Sequence, residues 1–280
     1  MPEAAPKRLN DPRDTFSSVE RAFEIVTLIA DSEHDLSLSA VARHLDVNKA
    51  IADKLLNSLI KIGLVWRDGV TQTFHLTYRI SNLGLKRLQQ GRLLDLCSSE
   101  LRQLANETGE LIRLALVERA EAITWVYAAV GQKRALQIAP NYTLEIGLHA
   151  HAAGKAWLCT LPFERAWELM LKGGMEEYTP HTLTGRSALK TELREAFDRG
   201  FAVSCDESEV GVGAVAAPIW APTIDGKAEC VGSVSLGAPS HRMTREQFIA
   251  VGPRVVESAD RLGRQWPIDD RIRMNVTTLY

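Results

Sequence analysis

Cysteine is scarce in this 280-residue chain: Cys97, Cys159, Cys205 and Cys230 stand far apart, with no C-x-x-C pair. That spacing argues against a disulfide framework and a structural zinc site, and it suits a reducing cytoplasm. Long hydrophobic runs are missing too. No stretch of about 18 apolar residues occurs, so no segment is expected to span a membrane. The opening MPEAAPKRLNDPRD has no apolar centre. It is therefore no signal peptide, and residues 1–15 read as a disordered leader. An excess of one charge is absent as well, because 33 Lys and Arg face 35 Asp and Glu for a net charge of −2. A nucleic-acid partner would have to be held by locally placed cations. There is no internal repeat. What remains is an ordinary globular composition, 45% hydrophobic and 24% charged, in a chain long enough for two domains.

The most informative stretch is SAVARHLDVNKAIADKLLNSLIKIGL, from Ser39 to Leu64. It reads as two amphipathic helices broken at Asp46-Val47. Val41, Ala42 and Leu45 mark one apolar face, and Leu55, Leu56, Leu59 and Ile62 mark the other. Asn48 is placed to cap the second helix and Gly63 to end it. Asp46 occupies the turn position that favours a left-handed residue. With its stripe beginning only at Leu55, the second helix is expected to point its opening turns outward. That is the geometry of a recognition helix.

The flanks extend the pattern. Ser17 to Glu20 reads as a capping box ahead of a stripe of Val19, Ala22, Phe23, Val26 and Ile29. Leu64–Arg67 and Thr73–Leu76 are β-prone runs around the turn signal Asp68-Gly69. Three helices and a hairpin in this order predict a winged helix-turn-helix over 16–78; the competing reading is a helical scaffold whose helix pair only packs. Residues 17–90 carry Arg21, Arg43, Lys49, Lys54, Lys61, Arg67, Arg79, Lys86 and Arg87, nine cations against eight Asp and Glu. Binding must then rest on local placement, with Arg43, Lys49, Lys54 and Arg67 as the candidates for the DNA side.

From Arg79 to Glu107 leucines recur in a polar setting around Gly91, which predicts a helical linker over 79–108 able to pair with a symmetry mate. Beyond it strands are expected at Leu111–Val117, Ala122–Ala129, Val212–Ile219 and Cys230–Leu236. Helices are expected at Ala153–Thr160, Phe163–Leu171, Leu189–Arg199 and Arg245–Trp266. This alternation predicts an α/β sensor-like domain over 109–266, followed by a tail at 267–280. No catalytic constellation is visible. A phosphate loop at Gly147–Lys155 fails because six residues separate Gly147 from Gly154 and Ala156 follows the lysine. Cys205 beside Asp206 and Glu207 lacks the positive surroundings of a reactive thiolate. The tryptophans at 125, 157, 167, 220 and 266 read as core or pocket walls.

Taken together, SSVERAFEIV, LSLSAVARHL, TFHLTYRISNLG, GELIRLAL, GLHAHAAGKAWL, RGFAVSCDESEVGVGAVAAPI and GSVSLGAP resemble the IclR-type bacterial transcriptional regulators from Ser17 to Trp266. The resemblance implies a mixed α+β chain with an N-terminal winged helix-turn-helix, a helical linker and a C-terminal effector domain of GAF-like α/β topology. It further implies a non-enzymatic regulator without a cofactor. Such a regulator acts as a homodimer or dimer of dimers on a pseudo-palindromic double-stranded operator, with a small-molecule effector as second partner. Where the family commonly has Ser, Thr and Arg, this chain has Ala50, Ile51 and Lys54. Ala50 and Ile51 suit thymine methyl groups, and Lys54 suits guanine or phosphate. Asp53 is expected to accept from cytosine or to pair with Lys49 or Lys54.

Leu136, Ile146, Ala152, Ala153, Ser204, Ala214 and Ser235 align with the family's ligand-lining positions, and Gly154 and Cys205 adjoin them. Some members have an acid at 204, a cysteine at 214 and a serine at 237, where this chain has Ser, Ala and Gly. The implied pocket is more apolar, which points to an aromatic or otherwise bulky apolar carboxylate. Backbone N–H groups of Ala152–Lys155 are expected to receive it. A metal-responsive regulator built on His149 and His151, placed at i and i+2 of an extended segment, is one alternative; an enzyme on the C-terminal α/β domain is the other. A single histidine is common at 149 in the family, and the resemblance implies a structural role for it.

Overall fold

The computed structural model describes residues 18–89, 93–132, 137–140, 145–222 and 226–266. The chain divides between Arg87 and Leu88 into two units. Among the described residues no helix is long and apolar enough to cross a membrane. The proposed Ser17 cap, the 1–15 leader and the 267–280 tail lie outside the described residues.

The first unit contains helices α1 (Ser18–Asp31), α2 (Leu38–His44) and α3 (Lys49–Lys61), then strands β1 (Val65–Arg67) and β2 (Phe74–Leu76), and α4 (Arg79–Gln89). The expected α1 stripe holds in part, with Val26 buried and Ala22 and Ile29 packed against the core. Val19 and Phe23 are 77% and 69% exposed, and Ile25 and Val26 are the residues that enter the core. The reason is packing: α1 lies against α3 and β2, and its inward residues are those that meet Val41, Ala52, Leu56 and Phe74.

The α2–α3 turn follows from its capping chemistry. Ser37 Oγ accepts from Ala40 N to start α2. Asp46 N donates to Arg43 O and Val47 N to Ala42 O, the two bonds that close a helix end when the intervening residue is left-handed. Asp46 holds that conformation at φ 50°, where glycine is more usual. The same pair of bonds ends α3, from Gly63 N to Ile60 O and Leu64 N to Leu59 O, with Gly63 at φ 75°. The hairpin pairs Val65 with Leu76 and Arg67 with Phe74, and Phe74 N donates to Leu36 O, which ties the wing to the segment before α2.

The second unit starts with α5 (Leu93–Thr108) and continues through β3 (Leu111–Glu118), β4 (Ala122–Val130), α6 (Ala152–Leu158), α7 (Phe163–Lys172) and α8 (Arg186–Arg199). It closes with β5 (Ala202–Cys205), β6 (Val212–Pro222), β7 (Ala228–Pro239) and α9 (Arg245–Arg264). The expected linker is thus shared, since α4 falls with the first unit as far as Arg87 while Cys97, Leu101, Leu104 and Ala105 of α5 are core residues of the second. The sheet runs β4-β3-β7-β6-β5 and is antiparallel throughout. Alternation along each strand serves two cores. Ile112, Leu114, Val215 and Leu236 face α5 and α9, whereas Ala115, Val117 and Ala216 face α6, α7 and α8. This is the expected mixed organisation of a helix-turn-helix head and an α/β domain. The four-residue β5 is an element the sequence patterning did not indicate.

Candidate DNA-reading helix and effector cavity

The first turn of α3 is exposed and polar at its edge. Asn48 Oδ1 accepts from Ile51 N at 2.9 Å, which satisfies one free N–H of the helix start. Lys49, Ala50 and Lys54 are exposed and Ile51 is 40% exposed, so these four share the solvent side. The inward stripe differs from the one expected. Ala52, Leu56 and Leu59 are buried at i, i+4 and i+7, whereas Leu55 is only partly buried and Ile62 is exposed. The buried face therefore begins one turn earlier, and the outward face is narrower than the sequence suggested. Asn57 and Lys61 continue that outward face at i+7 and i+11 from Ala50, which the sequence reading passed over.

Asp53 takes neither lysine as partner. Its Oδ2 accepts from Asn57 Nδ2 at 2.9 Å, one turn along the same helix. A neutral amide there leaves Lys49 and Lys54 free of an acidic partner among the described residues. Arg43 is exposed at the end of α2. Arg67 stands over the Phe74 ring at 5.4 Å, beside the Trp66–His75 stack. At the wing tip, backbone N–H groups of Thr71 and Val70 donate to Asp68 Oδ1, and these bonds hold its carboxyl below the ordinary range.

In the second unit, a small cavity of about 10 Å³ lies between the β3–β7–β6–β5 face and the start of α6. Ala152, Ala153, Ser204, Ala214 and Ser235 line it, five of the nine residues expected there. The register explains the grouping. Ser204 pairs with Ala214 across β5–β6, and Ser235 pairs with Ala216 and with Arg113 across β7. Ile146 lies elsewhere, on a groove along β4 with Ile123 and Leu148. Gly154 is a packing position rather than a lining one, because a Cβ there would stand 2.6 Å from the Leu148 backbone. Cys205 falls outside the lining, and burial pushes its thiol up, against a redox role. Leu136 lies outside the described residues.

Two lining residues were not foreseen as site residues. Arg113 is 9% exposed and its guanidinium carbon sits 4.0 Å from the centre of the Trp125 ring. No acid lines the cavity beside it, and burial lowers its pKa to about 10. The signal was present in the sequence as a single arginine inside the apolar strand GELIRLAL. His149 and His151 sit on a turn and a helix cap, not on an extended strand. His149 Nε2 donates to Glu176 O at 2.8 Å and His151 Nδ1 to Gly147 O at 3.2 Å, as acceptor carbonyls require. Burial lowers both pKa values, that of His151 to about 4. Among the described residues no three His, Cys, Asp or Glu side chains gather into a metal site, so the metal-responsive alternative has no support.

Lys155 does not face the cavity. Its Nζ donates to Glu207 Oε1 and Oε2 at 2.7 and 2.6 Å in a buried pair. Glu192 lies 4.0 Å away and is itself bound by Arg199 and Arg245. Thr182 Oγ1 donates to Glu207 O and Thr179 Oγ1 to Asp206 O, both at 2.6 Å. The ion pair thus fixes α6 to the β5–β6 turn, and residues of both line the cavity.

Comparison with known proteins agrees with this architecture. Residues 18–69 match the model of the IclR helix-turn-helix domain, and residues 85–264 match that of the bacterial transcriptional regulator IclR C-terminal domain. Over 245 residues the chain is 26% identical to the HTH-type transcriptional repressor AllR of Escherichia coli (strain K12), covering 86% of this chain and 87% of that protein. The crystal structure of an IclR transcriptional regulator from Alicyclobacillus acidocaldarius superposes with TM-score 0.75 at 24% identity, covering 89% of this chain and 98% of that one. An IclR homolog from Microbacterium hydrocarbonoxydans, crystallised with 4-hydroxybenzoate, gives TM-score 0.68 at 18% identity over 92% of this chain and all of that one. Both structures speak to the fold.

Proposed function

Because the chain belongs to the IclR family of bacterial transcriptional regulators, we propose that it is a repressor whose grip on an operator is set by a small organic acid. The observation that carries this reading is the exposed, Asn48-capped first turn of α3, backed by the Ala52–Leu56–Leu59 face. Lys49 and Lys54 supply phosphate contacts, Ala50 and Ile51 the apolar edge for thymine methyl groups, and Arg43 and Arg67 flanking contacts to the backbone. Asp53 steers Asn57 and does not oppose the lysines. Similarity to the AllR repressor supports repression over activation. The near-neutral head gains affinity by acting in pairs on a pseudo-palindrome, and exposed Val19, Phe23, Leu83 and Leu85 support self-association.

The effector enters the cavity beside α6. A carboxylate suits it, as the sequence suggested, but the lining is mixed: Arg113, His151, Ser204, Ser208 and Ser235 stand against Trp125, Ala152, Ala153, Val212, Gly213 and Ala214. α6 has only seven residues and its first turn is packed, so the side chains rather than the helix start supply the anchor. Lining and size favour a compact polar acid over the bulky apolar one expected from sequence. Coupling is reciprocal: effector and operator change each other's affinity by one factor, typically about 5–150-fold.

The test is selection of sheared genomic DNA from the source organism by the purified chain, followed by sequencing. Enrichment of a pseudo-palindrome beside one operon supports the reading. Uniform recovery of fragments by a folded protein contradicts it.

A further inference from the structure

Three of the four buried side-chain polar atoms without a hydrogen-bond partner among the described residues belong to one cavity: Arg113 Nε, Trp125 Nε1 and His151 Nε2. Buried polar groups are almost always paired, so three orphans in one lining call for a common partner. Their chemistry defines it. Arg113 brings a positive charge with no acid in the lining, its guanidinium carbon over the Trp125 ring at 4.0 Å. Trp125 Nε1 is a donor only. His151 spends Nδ1–H on Gly147 O, which leaves a bare acceptor at Nε2 in the neutral ring.

We propose that Arg113 is the anion anchor of this cavity, binding the carboxylate of a compact acid whose own hydroxyl or N–H group donates to His151 Nε2. The assignment rests on the effector reading above and adds to it the anchoring residue and the donor group. A guanidinium suits the task because its planar fork matches a carboxylate in two parallel bonds. The cation–π contact with Trp125 and the burial of the side chain restrict the guanidinium before the ligand arrives, so less ordering remains at binding. Ser235 lies directly opposite Arg113 in the β3–β7 register, and Ser204 Oγ is already committed to Ala150 O at 2.5 Å. Ser235 is therefore the hydroxyl placed to support the bound acid. The volume of about 10 Å³ matches one water, for which about 10–15 Å³ is needed. Ser208, Val212 and Ala214 are only half-buried, so the wall they form is the one that yields to a larger occupant.

Buried charge without a counter-ion is costly, which predicts an inversion between stability and binding. Arg113→Gln leaves the free protein as stable as the wild type or more so, yet removes its response to acids. A merely structural arginine would do the reverse.

The experiment titrates full-length wild type, Arg113→Gln and Arg113→Lys with sodium formate against sodium chloride at matched ionic strength. It reads the thermal midpoint and the His151 ring resonances by NMR. Saturable stabilisation of the wild type is expected, with binding weakened roughly 10–100-fold in Arg113→Gln, the loss for a charged hydrogen bond. Arg113→Lys, which keeps charge without the fork, is intermediate, whereas an Arg113→Gln variant that unfolds more readily than the wild type would mark the arginine as structural and overturn the anchor. Glycolate is expected to bind more tightly than acetate, because only glycolate has a hydroxyl for His151. No saturable formate response in the wild type, or an equal one in both variants, overturns the anchor. Equal binding of glycolate and acetate overturns the His151 role. Selection of operator DNA without added acid is independent of these titrations. Enrichment there with no formate response discards the anchor alone, whereas a formate response without enrichment discards the regulator reading and keeps the site.

Discussion

Lys155 Nζ lies 2.7 and 2.6 Å from the two carboxylate oxygens of Glu207, and both side chains are buried. The two residues are 52 positions apart in sequence, and their pairing ties α6 to the β5–β6 turn. Removing one member strands the other. Lys155→Met is expected to destabilise the chain by about 3–5 kcal/mol, and Lys155→Met with Glu207→Gln to recover most of that loss. Urea unfolding of the two variants measures the difference; a double variant as weak as the single would show that the charge pair is not the cause.

Acid should weaken the second unit through His151. Burial holds its pKa at about 4, below the value near 6.5 of an unfolded histidine. A depressed folded pKa means the unfolded state takes the proton first. The stability His151 contributes is then present above pH 6.5 and lost as pH falls towards 4. The full linkage is on the order of 3 kcal/mol. His151→Gln is expected to lose correspondingly less stability than the wild type across that window, as urea midpoints taken at several pH values would reveal.

The phosphate role proposed for α3 has a salt signature. Lys54→Ala and Lys49→Ala are each expected to lower operator affinity across sequences and to reduce the slope of log affinity against log salt by about one. Asp53→Ala is expected to free Asn57 without changing that slope. Slopes unchanged by the lysine variants would place those side chains off the backbone.

At the helix-turn-helix turn, Asp46 at φ 50° tolerates a conformation that β-branched residues resist. Asp46→Val is expected to cost roughly 1–2 kcal/mol, and Asp46→Gly to be neutral or stabilising. Thermal midpoints of the two variants, with operator binding of Asp46→Gly retained, check the point.

What was legible in the sequence is what neighbouring residues decide. Asn48, Asp46 and Gly63 act on backbone groups within a few positions, and the Asp68-Gly69 turn closes its own hairpin, so the head could be read by spacing alone. Val19 and Phe23 were misplaced on the α1 stripe because a helix of mixed apolar residues does not reveal which side its neighbours occupy. The buried face of α3 was placed one turn late because Ala52 is too small to stand out as a core residue. In the second unit the site is assembled by strand register. Arg113 meets Ser235 across β3–β7 and stacks on Trp125 of β4, and no local pattern announces either contact. Ala152, Ala153, Ser204, Ala214 and Ser235 came from family resemblance, which carries register implicitly. Ile146 shows its limit, since a residue at an aligned position lies on a different groove here.

The most direct test of sequence-reading by this chain is the ratio of its affinities for the selected genomic fragment and for a scrambled duplex of equal length and composition, at one salt concentration. The account predicts a ratio of about 10³ or more, as for other specific DNA-binding proteins. A ratio near one, from folded protein, would contradict it.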